Sequence, residues 1–224
     1  VRGLFVTGTG TGVGKTIVSA ALLAAMRGAG EQVRAYKPVV TGLAEPSGQW
    51  PPDHELLAAA AGMGSEEVAP LRFRPAVSPH LAASLAGEPI DPAALVERAR
   101  ASAGDTLIVE GVGGLLVPLA DDFTVRDLAV QLGLPLAIAA APGLGTINHT
   151  LLTIEAARTA RLSVAAVVLT PWLDAPSEME WSNHDTIARI GAIEVATLEE
   201  IASPDMANLA RAGHRLPWRD WLTR

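Results

Sequence analysis

Near the start of the chain an apolar stretch, "LFVTG" (Leu4–Gly8), runs straight into "TGTGVGKT" (Thr9–Thr16), and this junction constrains the fold more than any other feature. The residues before it read as a short buried strand. Those after it, "TIVSAALLAAMR" (Thr16–Arg27), are apolar on every side and read as a buried helix ending at Gly28 or Gly30. A glycine-rich loop between strand and helix lets backbone N–H groups converge at the helix N-terminus, where they suit a phosphate. The usual template is Gly, four residues, then Gly-Lys-Ser/Thr. Here Gly14, Lys15 and Thr16 close it, but Thr9 stands five positions before Gly14, so the turn starts at Gly8 and the loop is one residue longer. Lys15 can still reach the terminal phosphate oxygens, and the Thr16 hydroxyl can ligate Mg2+. A flexible Gly-Thr turn is the plainer reading, yet Gly-Lys-Thr at such a junction is hard to obtain by accident. The stretch predicts a mononucleotide loop containing Gly8, Gly12, Val13, Gly14, Lys15, Thr16 and Ile17.

The remaining chain alternates strand-like and helix-like segments. "QVRAYKPV" reads as a strand, and the Pro/Gly-rich "TGLAEPSGQWPPD" as a loop whose Asp53 caps a helix, "HELLAAAAG". "DPAALVERARASAG" is a further capped helix. Then come "TLIVEGVGG" (strand), "TVRDLAVQLG" (helix), "LPLAIAAAPG" (strand), "NHTLLTIEAARTARL" (helix), "SVAAVVLTP" (strand), "NHDTIARIG" (helix) and "AIEVAT" (a weak last strand). With neither repeats nor a low-complexity linker, residues 1–224 read as one α/β domain built on a doubly wound, mostly parallel sheet. The apolar share of 49%, rich in Ala, Val and Leu, suits a sheet covered on both faces.

Charge and composition remove several functions. A net charge of −7 supplies no electrostatic footprint for nucleic acid. The absence of cysteine excludes disulfides, thiolate metal sites and cysteine nucleophiles. No apolar run nears the roughly 20 residues of a membrane helix, and "LGLPLAIAAAPGLG" is interrupted by Pro135 and Pro142. No basic segment followed by an apolar stretch and a cleavage site opens the sequence, so a cytoplasmic protein is expected.

Three stretches supply partners for the loop. In "YKPVVTG" (Tyr36–Gly42), Lys37 ends a strand, a position that faces the ligand crevice in open α/β sheets. A second lysine there would stabilise charge developing on a transferring phosphoryl group, although alone it would read as solvated. Asp53 is a helix cap, a ligand, or both. In "TLIVEGVGGLLVPL" (Thr106–Leu119), Glu110 ends a fully apolar strand, where an unpaired carboxylate is costly. Either a metal ion or Lys15 would partner it, and Gly111, Gly113 and Gly114 permit close backbone approach by a ligand.

With these residues in view, the chain resembles the dethiobiotin synthetases, ATP-dependent carbon-dioxide ligases of biotin synthesis. The long loop "GTGTGVGKT" is similar in length and residues to that family's "GT-x-T-x-VGKT". "YKPVVTG", "SPHLAA" (Ser78–Ala83), "VEGVGGLLVPL" and "LGTINHT" (Leu144–Thr150) follow in the family's order, so the resemblance spans roughly Leu4 to Leu169. It implies that 7,8-diaminononanoate takes up CO2 as a carbamate, which attacks the γ-phosphate of ATP to give a carbamic–phosphoric anhydride. The second amine then closes the ureido ring.

By the same resemblance Lys15, Lys37 and Thr41 serve catalysis, and Thr16, Asp53 and Glu110 arrange Mg2+. The resemblance assigns Gly111, Val112 and Gly113 to the nucleotide, together with Thr170, Pro171, Leu198, Glu199 and Glu200 at its base end. Thr11, Lys37, Thr41, Gly114, Leu115 and Leu116 face the diamine. Gly145, Thr146, Ile147 and Asn148 open a helix that would hold the substrate carboxylate from the second subunit of a homodimer.

Two departures from the family stand out. Gly10 and Gly12 replace acidic residues that some relatives carry in the loop, and "LTPW" and "TLEE" lack the usual adenine-reading Asn and the Pro near the base. Acceptance of several nucleoside triphosphates is therefore expected. His80 and His149 are read as structural and His54, His184 and His214 as solvated, while the tryptophans of "PWRDWL" would pack a C-terminal helix or turn. The rival reading, a partition-type ATPase switch, expects "KGG-x-GKT", but Gly10, Thr11 and Gly12 occupy those positions. Cobyric-acid-type amidotransferases need a glutaminase cysteine that this chain lacks.

Overall fold

The computed structural model describes residues 2–46, 48–101 and 106–224. β1 (Gly3–Gly8) leads through the loop into α1 (Lys15–Gly28), followed by β2 (Val33–Tyr36), β3 (Val39–Val40), α2 (Asp53–Ala61), α3 (Ser65–Val68) and β4 (Leu71–Arg72). Next are α4 (Pro79–Ala86), α5 (Pro92–Ala101), β5 (Thr106–Glu110), β6 (Pro118–Ala120), β7 (Phe123–Thr124), α6 (Val125–Leu132) and β8 (Leu136–Ala140). The last elements are α7 (Thr146–Thr159), β9 (Val164–Trp172), α8 (Glu178–Gly191), β10 (Val195–Glu199), α9 (Met206–Gly213) and α10 (Trp218–Trp221).

Six strands form a parallel sheet in the order β10-β9-β8-β1-β5-β2. The chain first winds from β1 toward β2, returns to β5, then crosses to β8 and continues outward. The order therefore reverses beside β1, and the crevice over the carboxyl ends of its strands is where such sheets take ligands. The phosphate loop starts there, with the Thr9 N–H donating to the Ala139 carbonyl of β8 at 3.1 Å.

Alternating residues of the buried strands serve opposite faces. Leu4, Val6, Ala35 and Ile108 join α1, α2, α9 and both C-terminal tryptophans in one core layer. Phe5, Leu107 and Val109 join α4, α5 and α6 in the other, which continues under α7 and α8 through Ile138, Val167 and Leu169. Trp218 and Trp221 are fully buried, and the Trp221 indole N–H donates to Glu194 at 3.0 Å. Gly213 lies so close to α1 that a Cβ there would stand 2.0 Å from the Ala21 carbonyl oxygen. Among the described residues no helix is long and apolar enough to cross a membrane.

The elements differ locally from their sequence expectations. α2 begins at Asp53 itself, and Pro52, which cannot donate to the preceding turn, holds the capping position in Asp53's place. The last strand sits three residues later than "AIEVAT", at Val195–Glu199, because Ala192 takes the left-handed cap of α8 (φ 43°). α5 ends its described part at Ala101, and the expected continuation to Gly104 lies outside the described residues. Two small pairings, β3 with β4 and β6 with β7, have no signature in the sequence.

Candidate active site

Glycine geometry shapes the loop. Gly12 and Gly14 adopt φ of 74° and 90°, the left-handed region open to glycine at little cost. A Cβ on Gly8 would meet Val13 at 2.7 Å and Lys15 at 2.9 Å, so the loop folds directly back on its first residue. A Cβ on Gly14 would stand 2.5 Å from the Thr170 methyl carbon, which fits the end of β9 against the loop. Gly14 carries no capping side chain, leaving the first N–H groups of α1 free for an anion.

Charged groups gather beneath this loop. Lys15 curls back and donates to the Gly10 carbonyl at 2.7 Å. Lys37, immediately after β2, is 3% exposed. Its ammonium donates to Glu110 Oε1 at 2.5 Å and pairs with Asp53 Oδ2 at 2.8 Å. The Thr16 hydroxyl donates to the same Glu110 Oε1 at 2.8 Å. Of the two partners open to Glu110 on sequence grounds, Lys15 is not the one it takes; Lys37 and Thr16 fill that place. The solvated reading of Lys37 falls with its burial. Asp53 is half-exposed and reaches into the site from the first turn of α2.

Proton affinities follow from this packing. Burial lowers the Lys15 pKa to about 8, reinforced by Lys37 and opposed by Glu110 and Asp53. For Lys37 burial also works against the charged form, but Glu110 and then Asp53 overcome it and raise its pKa. Burial of Asp53 is likewise outweighed, chiefly by Lys37, and its carboxyl is held below the ordinary range.

Lys15, Thr16, Lys37 and Asp53 border a cavity of about 760 Å³, whereas the fully buried Glu110 is not part of its lining. Of the residues expected from sequence, it is lined by Thr11, Gly12, Gly14, Lys15, Thr16, Ile17, Lys37, Thr41, Asp53, Val112 and Gly113. The rest of the wall is mainly apolar, formed by Val39, Trp50, Pro51, Leu56, Ala76, Val77, Pro79 and Val117, with Ser78 as its polar member. Sequence reasoning missed this wall. Its one available signal was "SPHLAA", quoted above as a motif with no contact attached to it. Backbone bonds bring it in: Gly42 N–H to Pro75 O at 2.9 Å and Ala44 N–H to Arg74 O at 2.9 Å.

Other expected residues stand apart from the cavity. A Cβ on Gly114 would stand 3.5 Å from the Gly8 carbonyl oxygen, whereas Leu115 is buried in the core and Leu116 is 55% exposed. Gly111 is enclosed by Val125 and Phe5. Gly145–Asn148 form the start of α7 after Leu144, which is 94% exposed; Gly145 and Asn148 are exposed and Thr146 is buried. At the base end Thr170 packs on Gly14 and Pro171 is exposed, while Leu198 is buried in the core and Glu199 pairs with Arg215. Leu198 and Glu199 are absent from the lining of the cavity that holds Lys15 and Lys37. His54 is buried in α2, contrary to its solvated reading, and burial lowers its pKa.

The donor set fits a hard dication. Two carboxylates and a hydroxyl supply oxygen only, and Glu110 Oε2 is buried without a hydrogen-bond partner. Among the described residues no three His, Asp or Glu side chains converge, so the protein alone offers an incomplete cage. Mg2+ usually enters such sites through one or two carboxylates plus substrate phosphates.

Comparison with known proteins gives a consistent answer. A family described as an AAA domain matches residues 2–202. The chain is 44% identical over 225 residues to the ATP-dependent dethiobiotin synthetase BioD of Anaeromyxobacter sp. (strain K), covering 95% of each chain. To the protein of the same name in Mycobacterium sp. (strain KMS) it is 36% identical over 224 residues, covering 98% of this chain and 97% of the other. Among solved structures, a ParA family ATPase from Chlorobium tepidum TLS superposes with a TM-score of 0.57 at 11% identity, covering 100% of this chain and 98% of that one. The MinC:MinD cell division protein complex of Aquifex aeolicus gives 0.54 at 15% identity, covering 95% of this chain and 86% of the other. At such identities the last two speak for the fold alone. The likeness in sequence now extends well past Leu169, through the segment that motifs left unread.

Proposed function

Because the chain belongs to the ATP-dependent dethiobiotin synthetase family, we propose that it carboxylates 7,8-diaminononanoate with CO2 and closes the ureido ring at the expense of ATP. The observation that carries this reading is the buried Lys37 ammonium, which lines the same cavity as Lys15 and the loop together with a mainly apolar set of side chains. A triphosphate and a diamine on an aliphatic chain need those two surroundings in one space.

One amine adds to CO2 and loses a proton, giving a carbamate. The carbamate oxygen attacks the γ-phosphorus as ADP leaves. The second amine then attacks the carbamoyl carbon, phosphate departs, and a proton is lost as the five-membered ring closes. The chain's part is to position and to neutralise. Loop N–H groups and Lys15 hold the phosphates, and Lys37 stabilises negative charge on the transferring group. Thr11 and Thr41 orient the carbamate end, and Val39, Val77 and Val117 exclude water along the aliphatic chain. Thr16, Asp53 and Glu110 would hold Mg2+, which when bound screens phosphate charge. We assign Gly145–Asn148 of a second subunit to the substrate carboxylate, which makes the working unit a homodimer, and we place the reaction in the cytoplasm.

The test is phosphate release with Mg2+ and bicarbonate, with and without 7,8-diaminononanoate, run with ATP, CTP and GTP. Release that requires the diamine is expected, with comparable rates for the three nucleotides. Steady hydrolysis indifferent to the diamine would overturn the ligase reading in favour of an ATPase switch.

A further inference from the structure

We propose that Lys37 is the resident cation of the nucleotide-free site: its ammonium takes the place between Glu110 and Asp53 that a divalent ion needs, so free metal is held off until phosphates draw Lys37 away. The inference rests on the proposed reaction only through the metal site the two share.

Geometry makes the ammonium a stand-in. It lies 2.5 Å from Glu110 Oε1 and 2.8 Å from Asp53 Oδ2. The Thr16 hydroxyl meets that same Glu110 oxygen at 2.8 Å. Three oxygen donors suited to a dication therefore converge where a monovalent cation already sits. Glu110 Oε2 is buried without a hydrogen-bond partner, so this carboxylate relies on the cation at its other oxygen.

Charge balance gives the competition its direction. Lys15 and Lys37 against Asp53 and Glu110 sum to zero. A dication added alone brings the cluster to +2, in a place where Lys37 and Glu110 are nearly solvent-free and repulsion is poorly screened. Lys37 is 3% exposed and its backbone N–H is fixed to the Val68 carbonyl at 2.8 Å, so leaving the carboxylates for water alone gives up two buried ion pairs without a replacement. It can leave the carboxylates only for another anion within reach of its stem. A γ-phosphate on the loop is such an anion. Metal entry and delivery of Lys37 to the reacting group thus become one event, and nucleotide and metal arrive together.

The experiment measures Mn2+ binding by electron paramagnetic resonance in the nucleotide-free protein, comparing wild type, Lys37→Met and Lys37→Met/Glu110→Gln. Lys37→Met should bind Mn2+ at least about tenfold more tightly than wild type, and the added Glu110→Gln should abolish that gain. A folded Lys37→Met protein with unchanged or weaker binding overturns the proposal, as does a gain that survives Glu110→Gln. Should Lys37→Met not fold, wild type answers alone through the 15N signal of its buried lysine ammonium. Millimolar Mg2+ should leave that signal in place, and Mg2+ with a non-hydrolysable ATP analogue should shift it. A shift with Mg2+ alone overturns the proposal. Failure of diamine-dependent phosphate release would remove the proposed reaction while leaving this competition measurable.

Discussion

Lys15 couples nucleotide affinity to pH in a direction that its burial fixes. With a free-protein pKa of about 8, it is charged below that value and increasingly neutral above it. A triphosphate needs the charged form, so affinity should be level below about pH 8 and fall by up to about tenfold per unit above. Calorimetry between pH 7 and 9.5 measures this, and binding near pH 8 should take up protons from the buffer. Stability should move the other way. Between the folded value and the higher value of an unfolded lysine, the unfolded chain binds more protons, so the contribution of Lys15 to stability improves as pH rises. Lys37 behaves differently because two carboxylates hold its charge. Lys37→Ala should lower turnover by about 100-fold or more, measured at saturating nucleotide and Mg2+. Since it strands buried Glu110, it should also cost about 3–5 kcal/mol of stability, read by urea denaturation. Equal turnover would take Lys37 out of the mechanism.

At the level of elements, the loop and β9 form one fitted joint. Gly14→Ala places a methyl 2.5 Å from the Thr170 methyl carbon, at a φ of 90°. The left-handed conformation alone costs about 1–2 kcal/mol, and the clash adds to it. Thr170→Ser removes the clashing methyl and leaves φ untouched, so the double variant should regain only part of the lost stability. Full recovery would mean that backbone conformation contributes nothing.

This joint also marks how far the sequence could be read. Lys15, Thr16 and Asp53 were legible because each sits where a loop enters a helix, and Lys37 and Glu110 because each is a charge at the end of a strand. Val39, Ala76, Val77 and Pro79 were not, because bonds between residues 42–44 and 73–75 assemble their wall from segments distant in the chain. The capping role given to Asp53 and the start of the last strand failed for a local reason. Pro52 and the left-handed Ala192 each moved a boundary that propensity alone leaves open. Leu198 and Glu199 were assigned by resemblance, and burial and the Arg215 pair engage their side chains elsewhere.

For the whole molecule, the proposed dimer makes a prediction that no single chain can satisfy. Lys37 lies deep in the cavity, whereas Asn148 is exposed at the start of α7 and absent from the cavity lining. Asn148→Ala should weaken diamine binding and leave nucleotide affinity unchanged. If each site draws Lys37 from one subunit and Asn148 from the other, mixing Lys37→Ala with Asn148→Ala creates one intact site in every mixed dimer. Random reassortment should then restore about a quarter of wild-type activity at saturating nucleotide. Activity no greater than the sum of the two variants would place both residues in one chain's site.

The contact between Gly213 and the Ala21 carbonyl has a consequence for the order in which the molecule can be made. Residues near position 213 and the buried Trp218 and Trp221 cover the same layer as α1, whose residues leave the ribosome some two hundred positions earlier. Until they emerge, the apolar face of α1 lacks part of its cover. Such long-range closure slows folding and leaves hydrophobic surface open during synthesis. A nascent chain halted before residue 205 should therefore remain protease-sensitive throughout α1, and gain resistance there only once residue 221 has cleared the exit tunnel.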